Sequence, residues 1–212
     1  MIASEGKIIL IPLFLLVIAG TGIQVYYPSE ALKWINLALA MLTFFSLYFF
    51  RDPQRITPAK EGFLSPADGK IVQIIDVEDE EMGSARQISI FLSLFNIHSQ
   101  RVPISGKVIS KQYQPGNFIS AFNHKASKDN ENTAVLFETE NGKRYKIKQI
   151  AGFIARRILN YMEPENLVQR GQRLGFIRFG SRVDIILPRD FQIDVSLGDM
   201  VQGNKTIIGQ FQ

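Results

Sequence analysis

Apolar residues fall into two regimes along the chain. Residues 8–27 (IILIPLFLLVIAGTGIQVYY) carry no charge and are about long enough to cross a bilayer as a helix. Residues 31–50 (ALKWINLALAMLTFFSLYFF) contain only one charge, Lys33. Pro28, Ser29 and Glu30 form a short polar turn between the two runs. The pattern predicts an N-terminal hydrophobic two-helix membrane hairpin over residues 1–50. Lys7 precedes it, and Arg51, Arg55 and Lys60 follow it. The positive-inside rule therefore puts both ends, and the domain behind them, on the cytoplasmic side of a cytoplasmic membrane. Tyr26, Tyr27 and Trp34 stand where an interfacial aromatic belt lies. A cleaved signal peptide has one apolar run rather than two.

From residue 62 onward the apolar runs are short and are broken by Gly, Pro, Asn and Asp. KIVQIIDV, RQISIFLSLF, KVISKQY, TAVLFET, RLGFIRFG, VDIILP and FQIDVSL are rich in β-branched residues, and several alternate with period two. Asp68-Gly69 and Asn141-Gly142 are turn formers. Residues 150–162 (IAGFIARRILNYM) fit a strand or a helix equally. The expected fold class is mainly β: a β-sandwich or barrel-sandwich-like catalytic domain over residues 51–212, α+β overall with the hairpin included. A weak internal echo runs through it. The stretch from Pro66 to Ile71 (PADGKI) resembles that from Pro103 to Val108 (PISGKV), and Val168, Gly171 and Gly175 resemble Val201, Gly203 and Gly209. Such pairs are similar to the hammerhead strands of lipoyl- and biotinyl-type β-sandwiches, although short β-proteins also reuse turn chemistry.

The first fifty residues hold two charges of each sign (Glu5, Lys7, Glu30 and Lys33), so the net charge of +4 belongs entirely to the remainder. A mildly basic domain behind an apolar anchor suits an anionic phospholipid surface. No basic run interleaves with aromatics, so nucleic acid is not expected as a partner. The chain has no cysteine, which excludes disulfides, thiolate nucleophiles and Cys-ligated metals. Two histidines, His98 and His124, are too few for a multi-histidine metal site. P-loop, G-x-S-x-G and H-E-x-x-H motifs are absent.

Several residues could carry chemistry, each with a plainer alternative. Gly180 and Ser181 lie between RLGFIRF and VDIILP. A strained Gly-Ser bond can bring the hydroxyl onto the preceding carbonyl for an N→O acyl shift, and β-elimination then cuts the chain; otherwise the pair is a hairpin turn. His98, in FNIHSQR, is either a proton carrier or a loop histidine with a structural bond. Asp68, in SPADGK, either caps its own turn or orients an imidazole. Arg101 could hold an anion. Lys125 and Lys128, with His124, form a polar loop whose cations could meet a phosphate or lipid headgroup.

The ordered set LSPADGKI, FLSLFNIHSQRVPISGKV, HKASKDNEN, IAGFIARRI, RGQRLGFIRFGSRVDIILP and GDMVQGNKTIIG strongly resembles the short-form phosphatidylserine decarboxylases. The resemblance covers nearly all of residues 51–212. It implies a zymogen that cleaves itself between Gly180 and Ser181, giving a β chain of residues 1–180 and an α chain of residues 181–212. It implies that Ser181 becomes a covalent pyruvoyl group, with no pyridoxal phosphate and no metal. That group forms a Schiff base with the serine headgroup, and phosphatidylserine leaves as phosphatidylethanolamine. Asp68 and His98 match the residues that support the serine. Arg101 stands where the long form has a second histidine. The implied partners are the membrane, an aminophospholipid, the chain's own two fragments and a homo-oligomeric copy. The same chemistry would serve archaetidylserine. A non-enzymatic, membrane-tethered lipoyl- or biotinyl-like sandwich is the other reading, although none of the five methionines neighbours a lysine as a carrier hairpin requires. Leu92 and Leu94 of FLSLF are expected to dip toward lipid.

Overall fold

The computed structural model describes residues 1–117, 130–152, 157–178 and 181–212. The chain divides into two compact units, Met1–Gln54 and Arg55–Gln212.

The first unit is the expected hairpin. Helix α1 (Lys7–Tyr26) and helix α2 (Glu30–Phe49) start and stop within a residue of the two apolar runs. Both are long and apolar enough to cross a membrane. Only Leu10 of α1 is buried, and Phe14, Leu15, Ile18 and Val25 are exposed. A helix apolar all round is unfavourable in water and suits hydrocarbon. The two helices share a polar tie, with Asn36 Nδ2 donating to Thr21 Oγ1 at 2.8 Å. Gly20 makes room for it, because a Cβ there would lie 2.7 Å from Asn36 Oδ1.

The second unit is built from strands. In chain order they are β1 (Phe63–Leu64), β2 (Gly69–Asp79), β3 (Gly83–Leu92), β4 (Ser99–Arg101), β5 (Gly106–Gln114), β6 (Asn132–Glu138), β7 (Arg144–Ala151), β8 (Ile158–Asn160), β9 (Leu167–Val168), β10 (Arg173–Ile177), β11 (Ser181–Pro188), β12 (Gln192–Ile193), β13 (Met200–Val201) and β14 (Ile207–Gln210). Among the described residues the ambiguous 150–162 stretch supplies the end of β7 and all of β8. FLSLF leaves its strand at Leu92, and FQIDVSL keeps only a two-residue strand. An eight-stranded sheet runs β13-β2-β3-β11-β7-β6-β5-β9, with three-stranded sheets β4-β10-β8 and β1-β14-β12 beside it.

Strand alternation divides the large sheet into two faces. Ile88, Ile90 and Leu92 of β3, Val183, Ile185 and Leu187 of β11, and Tyr145 and Ile147 of β7 enter one apolar core. The opposite face carries charge. Arg182 and Asp184 are both fully buried, with Arg182 Nε 2.6 Å from Asp184 Oδ1 and Nη2 2.6 Å from Gln73 Oε1 and from Ser89 Oγ. Lys146 pairs with Asp79 and, at 2.9 Å, with Glu81, and Glu81 accepts from Ser110 Oγ at 2.7 Å. The tip of the β2-β3 hairpin is thereby tied to β7 and β5. Burial pushes both carboxyls up. The bond and charge of Lys146, with the N–H groups of Glu81 and Met82 on Asp79 and the Ser110 hydroxyl on Glu81, outweigh it and hold both below the ordinary carboxylate range.

The internal echo is structural. Gly69 registers with Val201 as Gly106 does with Val168. Ile71 N–H bonds the Asp199 carbonyl, and Val108 N–H bonds that of Asn166, both at 2.9 Å. Asp68 Oδ1 accepts from Gly203 N–H at 2.8 Å, and Ser105 Oγ accepts from Arg170 N–H at 2.9 Å. Gly203 is therefore the counterpart of Arg170. Gly171, which the sequence aligned with Gly203, instead matches Asn204; both are left-handed, at φ 84° and 59°. The repeat is offset there by one residue.

Two predictions come from the charged face. Asp184→Ala leaves a buried guanidinium unpaired and lowers stability by about 3–5 kcal/mol in urea denaturation. The stability from the Lys146 pairs is present above the unfolded carboxylate pKa of about 4 and is lost as pH falls through the lowered folded values. Lys146→Met therefore lowers the urea midpoint at neutral pH and flattens its decline under acid.

Candidate active site

Ser181 is the first residue of β11, and both sides of it are occupied: it registers with Leu92 of β3 and Ala151 of β7. Alternation turns its side chain to the apolar face, with Val183 and Ile185. It is fully buried, and among the described residues no group bonds its hydroxyl. An unsatisfied buried hydroxyl costs about 1–3 kcal/mol, so its retention calls for an explanation.

Pairing in the small sheet holds His98 against the end of β10, four residues before Ser181. The chain leaves the large sheet at Leu92, turns, and enters the small sheet at Ser99. It returns from the small sheet at Ile177 and re-enters the large one at Ser181. Phe176 registers with Ser99, and Ile177 N–H bonds the His98 carbonyl at 3.2 Å. His98 is fully buried, and its ring lies 6.4 Å from that of Phe176.

The imidazole's tautomer follows from its partner. His98 Nδ1 lies 2.9 Å from the Asn96 carbonyl. A carbonyl only accepts, so Nδ1 carries the proton, and Nε2 is the nitrogen that can accept one. That carbonyl is fixed by a tight turn. Asn96 Oδ1 accepts from Ser93 N–H at 2.9 Å and from Ser93 Oγ at 2.8 Å.

Asp68 is engaged by a cation and a backbone N–H. Its loop is tied to β4 by Arg101 N–H on the Pro66 carbonyl at 2.9 Å. Its carboxylate receives Arg55 in a two-pronged pair, Nη1 to Oδ1 at 2.5 Å and Nη2 to Oδ2 at 2.8 Å, besides the Gly203 N–H. Arg55 Nη1 also donates to the Gly203 carbonyl at 2.7 Å. The Asn96 carbonyl engages one nitrogen of the imidazole. Arg101 is half-buried on β4, registered with Arg173. Gly180, His124, Lys125 and Lys128 lie outside the described residues. Leu92 is fully buried in the core beside Ser181, which corrects the expectation that it dips toward lipid; Phe95 is the exposed apolar residue of that turn, at 66%.

Comparison with known proteins agrees with this architecture. A family model for phosphatidylserine decarboxylase matches residues 42–209. The chain belongs to the phosphatidylserine decarboxylase family. It is 47% identical over 184 residues to a phosphatidylserine decarboxylase proenzyme of Desulfotalea psychrophila, covering 85% of each chain. It is 41% identical to one from Syntrophus aciditrophicus, over 99% of this chain and 97% of the relative. Similarity to the proenzyme of Chlorobium chlorochromatii is 40% identity over the full length of both. The chain is thus a decarboxylase of a family whose relatives are named as proenzymes.

Two residues that position this decarboxylase's candidate site escaped the sequence reading. Arg55 counted there only as a flanking positive charge. Asn96 carried a readable signal, since Ser and Asn three apart after a strand mark a turn. Arg55→Ala strands a buried carboxylate and is expected to destabilise the catalytic unit by about 3 kcal/mol. Arg55→Lys, which loses the two-pronged geometry, recovers only part of that in the same denaturation series.

Proposed function

We propose that this chain is a self-cleaving zymogen that decarboxylates phosphatidylserine to phosphatidylethanolamine, with Ser181 as the precursor of a pyruvoyl group. The observation that carries the reading is the buried Ser181 hydroxyl, unbonded among the described residues, at the start of a strand paired on both edges. A hydroxyl held without a partner is costly as a permanent feature. It is intelligible as a reactant that is consumed. The position also fits the product: a small group at the first residue of β11 would lie between Leu92 and Ala151, walled off from water.

In maturation, Ser181 Oγ attacks the Gly180 carbonyl and the Gly180–Ser181 amide gives way to an ester. β-Elimination then releases the Gly180 carboxylate and leaves dehydroalanine, which water hydrolyses to the pyruvoyl group and ammonia. His98 Nε2 is assigned the acceptor's role because Nδ1 is already committed to Asn96. Cleavage leaves residues 1–180 and 181–212 joined by pairing, since β11 stays between β3 and β7, β13 stays on β2, and β14 stays on β1. The Asp68 contacts to Gly203 and the Arg55 bond to its carbonyl also span the two fragments. A pyruvoyl carbonyl supplies the electron sink that side chains lack, by condensing with the substrate amine. During turnover His98 would deliver a proton to the substrate carbon that loses CO₂. Arg101, Lys125 and Lys128 are assigned to the anionic headgroup. The hairpin of α1 and α2 would hold the enzyme on the cytoplasmic face of a membrane, where a diacyl substrate is searched for in two dimensions.

Purified protein on phosphatidylserine vesicles should release CO₂, and hydroxylamine should abolish that release. Ser181→Ala should remain one chain and be inactive. Activity in Ser181→Ala, or activity that survives hydroxylamine, would contradict the reading.

A further inference from the structure

A buried chain of side-chain amides ends on His98. Asn160 Nδ2 donates to Gln149 Oε1 at 2.8 Å, Gln149 Nε2 donates to Gln100 Oε1 at 2.9 Å, and Gln100 Nε2 donates to the His98 carbonyl at 2.8 Å. Asn160 Oδ1 accepts from Met162 N–H at 3.0 Å, which anchors the far end. Gln100 and Gln149 are fully buried.

The chain links the two sheets that meet at the candidate site. Gln100 lies on β4 and Asn160 on β8, the two strands that flank β10. Gln149 lies on β7, two residues before the Ala151 that registers with Ser181. Gly175 registers with both Gln100 and Asn160. A Cβ there would lie 2.7 Å from Gln149 Nε2 and 2.2 Å from the Leu159 carbonyl, so the bare glycine lets the Gln149 amide cross the strand. The β4-β10 ladder needs such help, because β4 is three residues long and its register shifts between Arg173 and Gly175.

We infer that Gln100, Gln149 and Asn160 are positioning residues that fix His98 relative to Ser181. Apolar residues of similar shape would fill this space at little cost in stability, whereas amides add direction. Every bond in the chain has a single sense, from Asn160 to His98, because a carbonyl can only accept. The Asn96 carbonyl holds the ring of His98 and the amide chain holds its backbone.

This inference rests on the reading of His98 as proton carrier, and the test separates the two. Gln149→Glu keeps the shape. Its carboxyl can donate to Gln100 Oε1 when protonated and cannot when ionised. Burial raises the pKa of such a carboxyl, which brings its titration toward the working range. The half-time of proenzyme cleavage and the kcat and KM of processed chains, counted by fragment mass, are measured across pH for wild type, Gln149→Glu, Gln149→Leu and His98→Ala. Relative to wild type, Gln149→Glu should cleave and turn over progressively faster as pH falls. Gln149→Leu should slow both steps about ten- to hundredfold with KM within twofold. Gln149→Glu carries the test if Gln149→Leu does not fold. If Gln149→Glu and Gln149→Leu both match wild type at every pH while His98→Ala stays uncleaved, the amide chain has no positioning role and the reading of His98 stands. A Gln149→Glu defect independent of pH also overturns the inference. Normal cleavage and turnover in His98→Ala would remove the proton carrier itself, and the inference with it.

Discussion

The candidate site depends on one constraint: β11 is paired on both edges from its first residue. Ser181 is bracketed by Leu92 and Ala151, and the six residues after it are buried. A strand held in this way cannot slip, since a one-residue shift would move Val183 and Ile185 out of the core and Arg182 and Asp184 into it. The register that packs the core therefore also fixes which residue sits at the junction of the sheets. The same pairing keeps residues 181–212 in place without a peptide bond to what precedes them, a property that a self-cleaving protein requires.

The two faces of that strand serve different ends. Ser181, on the apolar side, has no hydrogen-bond partner among the described residues. Arg182 and Asp184, on the other, are paired at 2.6 Å and fully buried. A buried ion pair adds little net stability against an apolar replacement, but it penalises any arrangement that separates its members. Here it ties β11 to Gln73 of β2 and Ser89 of β3. Placed next to the candidate nucleophile, it resists displacement of the start of β11.

Much of the fold was legible because its signals are local. The hairpin ends were readable from two apolar runs that together hold a single charge, and the strands from short runs rich in β-branched residues, several of which alternate with period two. The internal echo was also real, although only the hydrogen bonds and φ values of the fold show that Gly171 answers to Asn204 rather than Gly203. The site was legible as residue types and less so as contacts. His98 is tied to Ile177, four residues before Ser181, by pairing within the small sheet, which no spacing along the chain encodes. Arg55 reaches Asp68 across 13 residues and Gly203 across 148, and Gln149 reaches Gln100 across 49. Such pairs exist only once the sheets have formed. The Asn96 carbonyl that bonds the imidazole was not foreseen, because the sequence marks the turn around Asn96 and not where its carbonyl points.

The central claim is that Ser181 is consumed. Intact mass spectrometry of protein purified from an active preparation tests it most directly. The account predicts two polypeptides dividing before residue 181, the smaller lacking a free amino terminus and reacting with a carbonyl reagent. A single uncleaved chain of 212 residues in a preparation that releases CO₂ from phosphatidylserine would contradict it.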